Sequence, residues 1–131
     1  EIHALRLDTG DGKVRERRRH AFQTGAVYDG EWLGNLRDGF GTQTWPDGAT
    51  YSGEWVQNAA SGKGSFTHSD GDVYIGEWSG NNVNGYGIYR HGDGTTYQGQ
   101  FVNDLQEGHG VEVWPDGSRF LGEFMQGKKR G

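Results

Sequence analysis

Bulky residues return in this chain at a fixed interval. Tyr28, Tyr51, Tyr74, Tyr97 and Phe120 stand 23 residues apart with no insertion between them. Each opens a stretch of the same design: Tyr28-Asp29-Gly30-Glu31-Trp32, Tyr51-Ser52-Gly53-Glu54-Trp55, Tyr74-Ile75-Gly76-Glu77-Trp78, Tyr97-Gln98-Gly99-Gln100-Phe101 and Phe120-Leu121-Gly122-Glu123-Phe124. With each unit numbered from its first ring, positions 1–6 alternate with a period of two, the mark of a half-buried strand. Positions 13–18 predict a second strand, and positions 7–12, polar and rich in Gly and Asn, predict the loop between them. Each unit reads as a β-hairpin, and an Asp-Gly at 47–48, 70–71, 93–94 and 116–117 links it to the next.

The linking turn sets the register. Trp45-Pro46-Asp47-Gly48 and Trp114-Pro115-Asp116-Gly117 place Pro at the first central position of a type I turn and Gly at the left-handed bulge position. Such a three-residue loop sets position 16 of one unit opposite position 1 of the next, 14 opposite 3, and 12 opposite 5. A two-residue loop would slip the pairing by one and turn one strand's side chains over. The three-residue register gathers fifteen of the seventeen aromatics on one face and leaves Phe40 and Tyr86 on the other. It predicts the cross-strand ring pairs Phe66–Tyr74 and Tyr89–Tyr97. It also sets Trp55, Trp78, Phe101 and Phe124 against Gly39, Gly62, Gly85 and Gly108, where a ring would cover a bare glycine.

The predicted fold is all-β: a single elongated, twisted antiparallel β-meander of stacked 23-residue β-hairpin repeats, an open solenoid-like sheet with a trough. Strands about 4.8 Å apart lengthen it by roughly 10 Å per unit, and right-handed twist bends it. The repeat domain spans 18–131, with a half repeat at 18–27, full repeats at 28–50, 51–73, 74–96 and 97–119, and a partial repeat at 120–131. Residues 1–17 form an N-terminal extension, read as an edge hairpin of Ile2–Leu7 with Lys13–Phe22.

The order Tyr-x-Gly-Glu-Trp, then Gly-x-Gly at 39/41, 62/64, 85/87 and 108/110, then Asp-Gly, resembles the MORN repeat (membrane occupation and recognition nexus) over residues 18–131. The resemblance implies cytoplasmic proteins that organise membrane-associated or cytoskeletal assemblies, often as dimers. It also implies a module that in some relatives sits beside a lipid kinase or a SET-type methyltransferase. Residue 1 is Glu, which points to a piece of a longer chain.

Composition sharpens this picture. Glycine supplies 25 of 131 residues, well over twice its usual share of about 7%, and each glycine costs a helix about 1 kcal/mol, so a helical bundle is excluded. Two prolines and no third-residue glycine exclude collagen. Nineteen of the glycines fall at positions 3, 12, 14 and 21, so the excess marks order and not looseness. With no cysteine there is no disulfide framework, thiolate site or cysteine nucleophile. Residues 26–127 hold four Lys/Arg against fourteen Asp/Glu, a net of -10, which argues against a nucleic-acid partner. The basic ends are different. Lys13, Arg15, Arg17, Arg18 and Arg19, with Lys128, Lys129 and Arg130, are candidates for contact with an anionic surface.

No constellation for catalysis emerges, and no cofactor or metal is expected. Glu31, Glu54, Glu77 and Glu123, with Gln100, recur at position 4 as scaffold acceptors for turn or loop N–H groups; an amide accepts but cannot serve as a base. His68 and His91 share position 18 of neighbouring units, too far apart for two ligands of one zinc ion. The Gly-x-Gly pairs open no helix and lack the context of a phosphate loop. Asp8-Thr9-Gly10 reads as a turn, since an aspartic dyad needs a second copy.

Positions filled alike in every unit build the fold, so the changing ones carry specificity. Opposite the rings, the first units hold Asp29, Thr42, Ser52 and Ser65, and the later ones Ile75, Ile88, Val102, Val111, Val113, Leu121 and Met125. That apolar surface is one candidate for protein binding or self-association. The aromatic trough is the other, with Tyr51, Trp55, Phe66, Tyr74, Trp78, Tyr89, Tyr97 and Phe101 able to hold a helix or extended peptide. The open sheet edges invite strand addition. The expectation is a non-catalytic, cytoplasmic protein-binding scaffold module. The rivals are a phosphoinositide or anionic-membrane module and a regulatory region attached to a catalytic domain elsewhere.

Overall fold

The computed structural model describes residues 6–8 and 14–130. Every regular element among them is a strand: β1 (Arg6–Asp8), β2 (Val14–Ala21), β3 (Val27–Leu33), β4 (Leu36–Thr44), β5 (Thr50–Val56), β6 (Ala59–Thr67), β7 (Val73–Ser79), β8 (Asn82–Arg90), β9 (Thr96–Val102), β10 (Leu105–Val113), β11 (Arg119–Met125) and β12 (Lys128–Arg130). They form one twelve-stranded antiparallel sheet in chain order. β1 pairs with β2 through Leu7 and Arg15, while the Thr9–Lys13 stretch and Ile2 lie outside the described residues.

The linking turns have the expected three-residue form. Gly48 donates its N–H to the Trp45 carbonyl at 3.0 Å, and Trp45 donates to Ala49 at 2.9 Å. Gly48 sits at φ 94, a left-handed value that glycine adopts without strain. Gln43 then faces Tyr51, Gly41 faces Gly53 and Gly39 faces Trp55. The expected ring pairs follow, Phe66 with Tyr74 and Tyr89 with Tyr97.

Inside each unit the expected loop over positions 7–12 does not hold. The turn is only two residues long, as in Gln57-Asn58 (φ 48 and 72) and Asn103-Asp104 (φ 48 and 71), the left-handed pair of a type I′ hairpin. The second strand starts at position 9. The surplus length becomes a bulge, where pairing steps from Gly53↔Gly64 to Trp55↔Ala60, with Gly62 at φ 95. The polar run that reads as a loop is a tight turn docked on the hairpin before it. Asn58 donates its N–H to the Arg37 carbonyl at 2.9 Å, and its Oδ1 accepts from the Arg37 N–H at 2.8 Å.

The bulge takes one carbonyl and one amide out of the ladder, and the unit's own side chains satisfy both. Tyr51 Oη donates to the Glu54 carbonyl at 2.8 Å, and Glu54 Oε2 accepts the Lys63 N–H at 2.9 Å. Tyr28 with Glu31, and Tyr74 with Glu77, repeat both bonds onto Phe40 and Tyr86. In the fourth unit Tyr97 still donates to the Gln100 carbonyl at 2.9 Å. The Gln100 side chain, however, does not take the His109 N–H. It lies 3.9 Å from where a Cβ on Gly108 would be, and that glycine has relaxed to φ 72. The recurring carboxylate is a scaffold acceptor, and Gln100 departs from that role.

The expected cover of position-12 glycines by rings is also corrected. Gly62 faces Trp78 in register, but the space beside it is filled by the Glu54 side chain, 2.9 Å from where a Cβ would lie. Rings instead cover the glycines at positions 3 and 14. A Cβ on Gly64 would enter the Tyr51 ring, and one on Gly53 would sit 2.9 Å from Tyr51 Oη. The tyrosine lies flat across two bare strands to reach the freed carbonyl, and any side chain there would lift it.

These tyrosines and the position-5 rings form one continuous edge-to-face ladder. Tyr51 meets Trp55 and Trp78 with centroids 5.1 Å from each, and Tyr74 meets Trp78 at 5.4 Å and Phe101 at 5.2 Å. Tyr97 continues to Phe124 at 4.8 Å. Tyr28, Tyr51, Tyr74 and Tyr97 are the largest fully buried side chains. Each ring touches its own unit and the next, so the core is a chain of neighbour contacts. Burial raises the pKa of all four hydroxyls, Tyr74 and Tyr97 to about 12.

Candidate functional site

The ring face carries a groove of about 680 Å³ reaching from β4 to the β9–β10 turn. Its composition follows from the ladder. Tyr51, Tyr74 and Tyr97 are at most 2% exposed, and Trp55 and Phe101 are buried with them. Of the eight predicted trough residues, these five form the foundation. The half-exposed rings Phe66, Trp78 and Tyr89 remain to meet a ligand. Trp45 and His68 extend that floor toward the linking turns. The opposite wall is built by Arg37 at the start of β4 and by Asn58, Asn81 and Asp104 from the docked hairpin turns. Sequence reasoning missed this wall because it treated positions 7–12 as a free loop.

Arg37 is the most unusual member. Its position holds Ala60, Val83 and Gln106 in the next three units and Lys129 in the partial fifth. The guanidinium lies over the Trp55 ring at 4.7 Å and near Phe22 at 5.7 Å. Nε donates to Asn58 Oδ1 at 3.2 Å and Nη2 to the Asn58 carbonyl at 3.1 Å, while Nη1 donates to Gln43 Oε1. Among the described residues no carboxylate pairs with it, and burial lowers its affinity for its proton.

Across the groove, Asp72 gathers a second polar cluster. It accepts the Gly92 N–H at 2.8 Å and the Tyr89 hydroxyl at 2.9 Å, and His91 Nδ1 stands 3.5 Å away. The Gly92 and Tyr89 bonds hold its carboxyl below the usual carboxylate range. Burial first, then the bond to Asp72, pushes Tyr89 to about 12. This places the pair far from the near-neutral poise of a general acid or base. Among the described residues no group of three His, Asp or Glu gathers as for a metal ion.

On the opposite face, Ile75, Ile88, Gln98, Val111 and Leu121 line up in one row across β7 to β11. Ile75, Ile88 and Leu121 are exposed, at 56%, 41% and 66%. Gln98 interrupts them and donates to the Tyr86 hydroxyl at 3.1 Å. Val102 and Met125 lie apart, beside the hairpin turns, and half-buried Val113 lies in the next row between Thr96 and Arg119. The predicted apolar surface is therefore one broken row with outliers.

Four of the eight basic candidates at the ends lie beside carboxylates. Strand alternation splits β2: Arg18 lies over the Trp32 ring at 4.7 Å, while Arg17 and Arg19 face Glu31 and Asp29 across the ladder. Arg15 binds Asp38 at 2.7 Å, Arg17 lies 3.6 Å from Asp29, and Arg18 lies 3.9 Å from Glu16. Lys129 pairs with Glu112 at 2.9 Å and covers Trp114. Arg19 and Lys128 are exposed, Arg130 lies in β12, and Lys13 lies outside the described residues.

Comparison with known proteins bears on the repeat. A family model described as the MORN repeat matches residues 28–50, 51–73, 74–96 and 97–119. No curated protein matches the chain. Among solved structures, one similar chain is the SAS-4 (dCPAP) TCP domain of Drosophila melanogaster, in complex with a proline-rich motif of Ana2 (dSTIL). It is 10% identical, covers 92% of this chain and 90% of its own, and has a TM-score of 0.45.

Proposed function

From the premise that the chain belongs to the MORN-repeat family, a non-catalytic repeat module, we propose that it binds a peptide segment of a protein partner along the ring-face groove, as part of a cytoplasmic scaffold. The observation that carries this reading is the groove itself. It is lined by half-exposed rings standing on a buried aromatic floor, and aromatic anchors in a preformed cleft are what peptide recognition uses. The pairing of Arg15, Arg17, Arg18 and Lys129 with carboxylates supports a protein partner over an anionic membrane.

The test separates the two faces. Random peptides displayed on phage are selected on the chain, then measured against two double variants. Phe66→Gln with Tyr89→Gln changes groove rings at a position where Gln43 and Glu112 already stand in other units, and thermal melts check that the variant folds. Ile88→Asp with Leu121→Asp changes the other face. The selected peptides should bind the wild type and the second variant and lose the first. Loss in the second variant alone would move the site to the outer row.

A further inference from the structure

In the groove, Arg37 puts a cation at a position that holds Ala60, Val83 and Gln106 in the next three units. A guanidinium has five N–H donors. Three are held, by Asn58 Oδ1, the Asn58 carbonyl and Gln43, which leaves one N–H on each terminal nitrogen. The plane is fixed over Trp55, so little freedom is lost when a ligand arrives. A partly buried charge with no counter-ion is costly, and the residues that hold Arg37 are all neutral amides and rings.

The sequence also shows that this arrangement is built. Position 16 carries rings in the second and third units, Phe66 and Tyr89, but Gln43 in the first. Gln43 is 5% exposed and its amide oxygen is spent on Arg37. Like Glu112 in the fourth unit, Gln43 stands there without a ring, and here it orients a cation at the groove wall.

The far end of the groove has the opposite sign. Asp104 caps the Val83 N–H at 2.7 Å with one oxygen, and Asp72 lies behind Tyr89. From Arg37 on β4 to Val83 on β8 is four strand spacings, roughly 19 Å. The groove is thus a dipole with an aromatic middle.

Resting on the peptide-groove reading above, we propose that Arg37 is a specificity-determining anchor for a carboxylate, and that the occupant is an extended partner peptide with an Asp or Glu on Arg37, apolar side chains on Phe66, Trp78 and Tyr89, and a Lys or Arg about six residues from the acid, over Asp104. The free N–H pair matches the two oxygens of a carboxylate. A phosphate is disfavoured because its double charge would sit in a body of net -10 over residues 26–127.

The experiment repeats the phage selection, with roughly ten-residue random peptides, on the wild type, Arg37→Gln and Arg37→Lys. Gln is native at this position in the fourth unit as Gln106, and thermal melts check that each variant folds. Wild-type selection should enrich one acidic position at a fixed distance from apolar ones, with a basic position at the opposite end. Arg37→Gln should lose the acidic preference and keep the apolar one. Arg37→Lys should retain a weaker acidic preference. Synthetic copies of an enriched peptide should bind the wild type about tenfold or more better than their acid-to-amide analogues, and equally to them on Arg37→Gln. Enriched peptides with no acidic position, or an acidic preference unchanged in Arg37→Gln, would overturn the anchor while leaving the groove intact. Peptides that ignore Phe66→Gln with Tyr89→Gln would overturn the groove and the anchor together.

Discussion

The second and fourth units carry the same phrase with three letters changed, two of them at the repeating Glu and Trp, and they fold with different tightness. In the second, Trp55 donates its indole N–H to the Gly41 carbonyl at 3.1 Å, and the Glu54 carboxylate closes the bulge on Lys63. In the fourth, Phe101 has no donor and Gln100 leaves the bulge amide alone. Yet Tyr51 and Tyr97 are equally buried, and each donates to its freed carbonyl, at 2.8 and 2.9 Å. The difference separates what the fold requires from what tightens it. The tyrosine and its two bare glycines are required. The carboxylate and the indole N–H are reinforcement.

The largest effect should come from breaking the required part. In Gly64→Ala the new methyl meets the Tyr51 ring, which is fixed between Trp55 and Trp78. Overpacking of this kind costs about 1–3 kcal/mol or more. The control is Gly71→Ala at a linking turn, where φ is 99 and nothing lies within 4 Å, so only backbone strain of about 1–2 kcal/mol applies. Urea denaturation of both variants reads the difference. A larger loss at Gly71 than at Gly64 would show that turns, and not the ring over bare strand, hold the units.

Next in size is the ring's own hydroxyl. Tyr51→Phe and Tyr97→Phe each strand one buried carbonyl, a loss of about 1–3 kcal/mol, and the two should be nearly equal despite the looser bulge in the fourth unit. The same tyrosines predict alkaline unfolding. Tyr74 and Tyr97 ionise near 12 in the fold against 10.0 when free. Between these values the unfolded chain releases protons that the native chain keeps, so stability is full below pH 10 and falls as pH rises toward 12. Absorbance of tyrosinate, followed together with circular dichroism, should show core tyrosines ionising only as the sheet is lost.

The sequence carried the register because glycine and proline chemistry at Trp45-Pro46-Asp47-Gly48 admits few turns, and because one slip would have scattered the rings. It did not carry the bulge. A run such as Gln57-Asn58-Ala59-Ala60-Ser61-Gly62 is as polar as a loop, and nothing local says that Gly62 turns left-handed while Glu54 caps the next amide. The groove was legible as a face but not as a surface. Alternation places Tyr51 and Phe66 on one side alike, while only packing decides that Tyr51 is buried and Phe66 is not. Arg37 was invisible for a related reason, since position 10 becomes part of the wall only once the turn is known to be two residues long.

The smallest effect is the sharpest test of reinforcement, because it exchanges Glu and Gln at position 4 between the two units. Glu54→Gln should leave the Lys63 amide with a weaker acceptor, losing part of a charge-assisted bond, about 1 kcal/mol. The reciprocal change, Gln100→Glu, offers the His109 amide the carboxylate acceptor that Lys63 has. The gain should be smaller, because Gly108 has relaxed to φ 72 and must return toward the 95–106 of Gly39, Gly62 and Gly85 before the carboxylate can reach. Amide hydrogen exchange resolves this residue by residue: protection should fall at Lys63 in the first variant and rise at His109 in the second. If Gln100→Glu left His109 unprotected, the fourth bulge would be set by its surroundings, and the carboxylate would be a consequence of the tight bulge and not its cause.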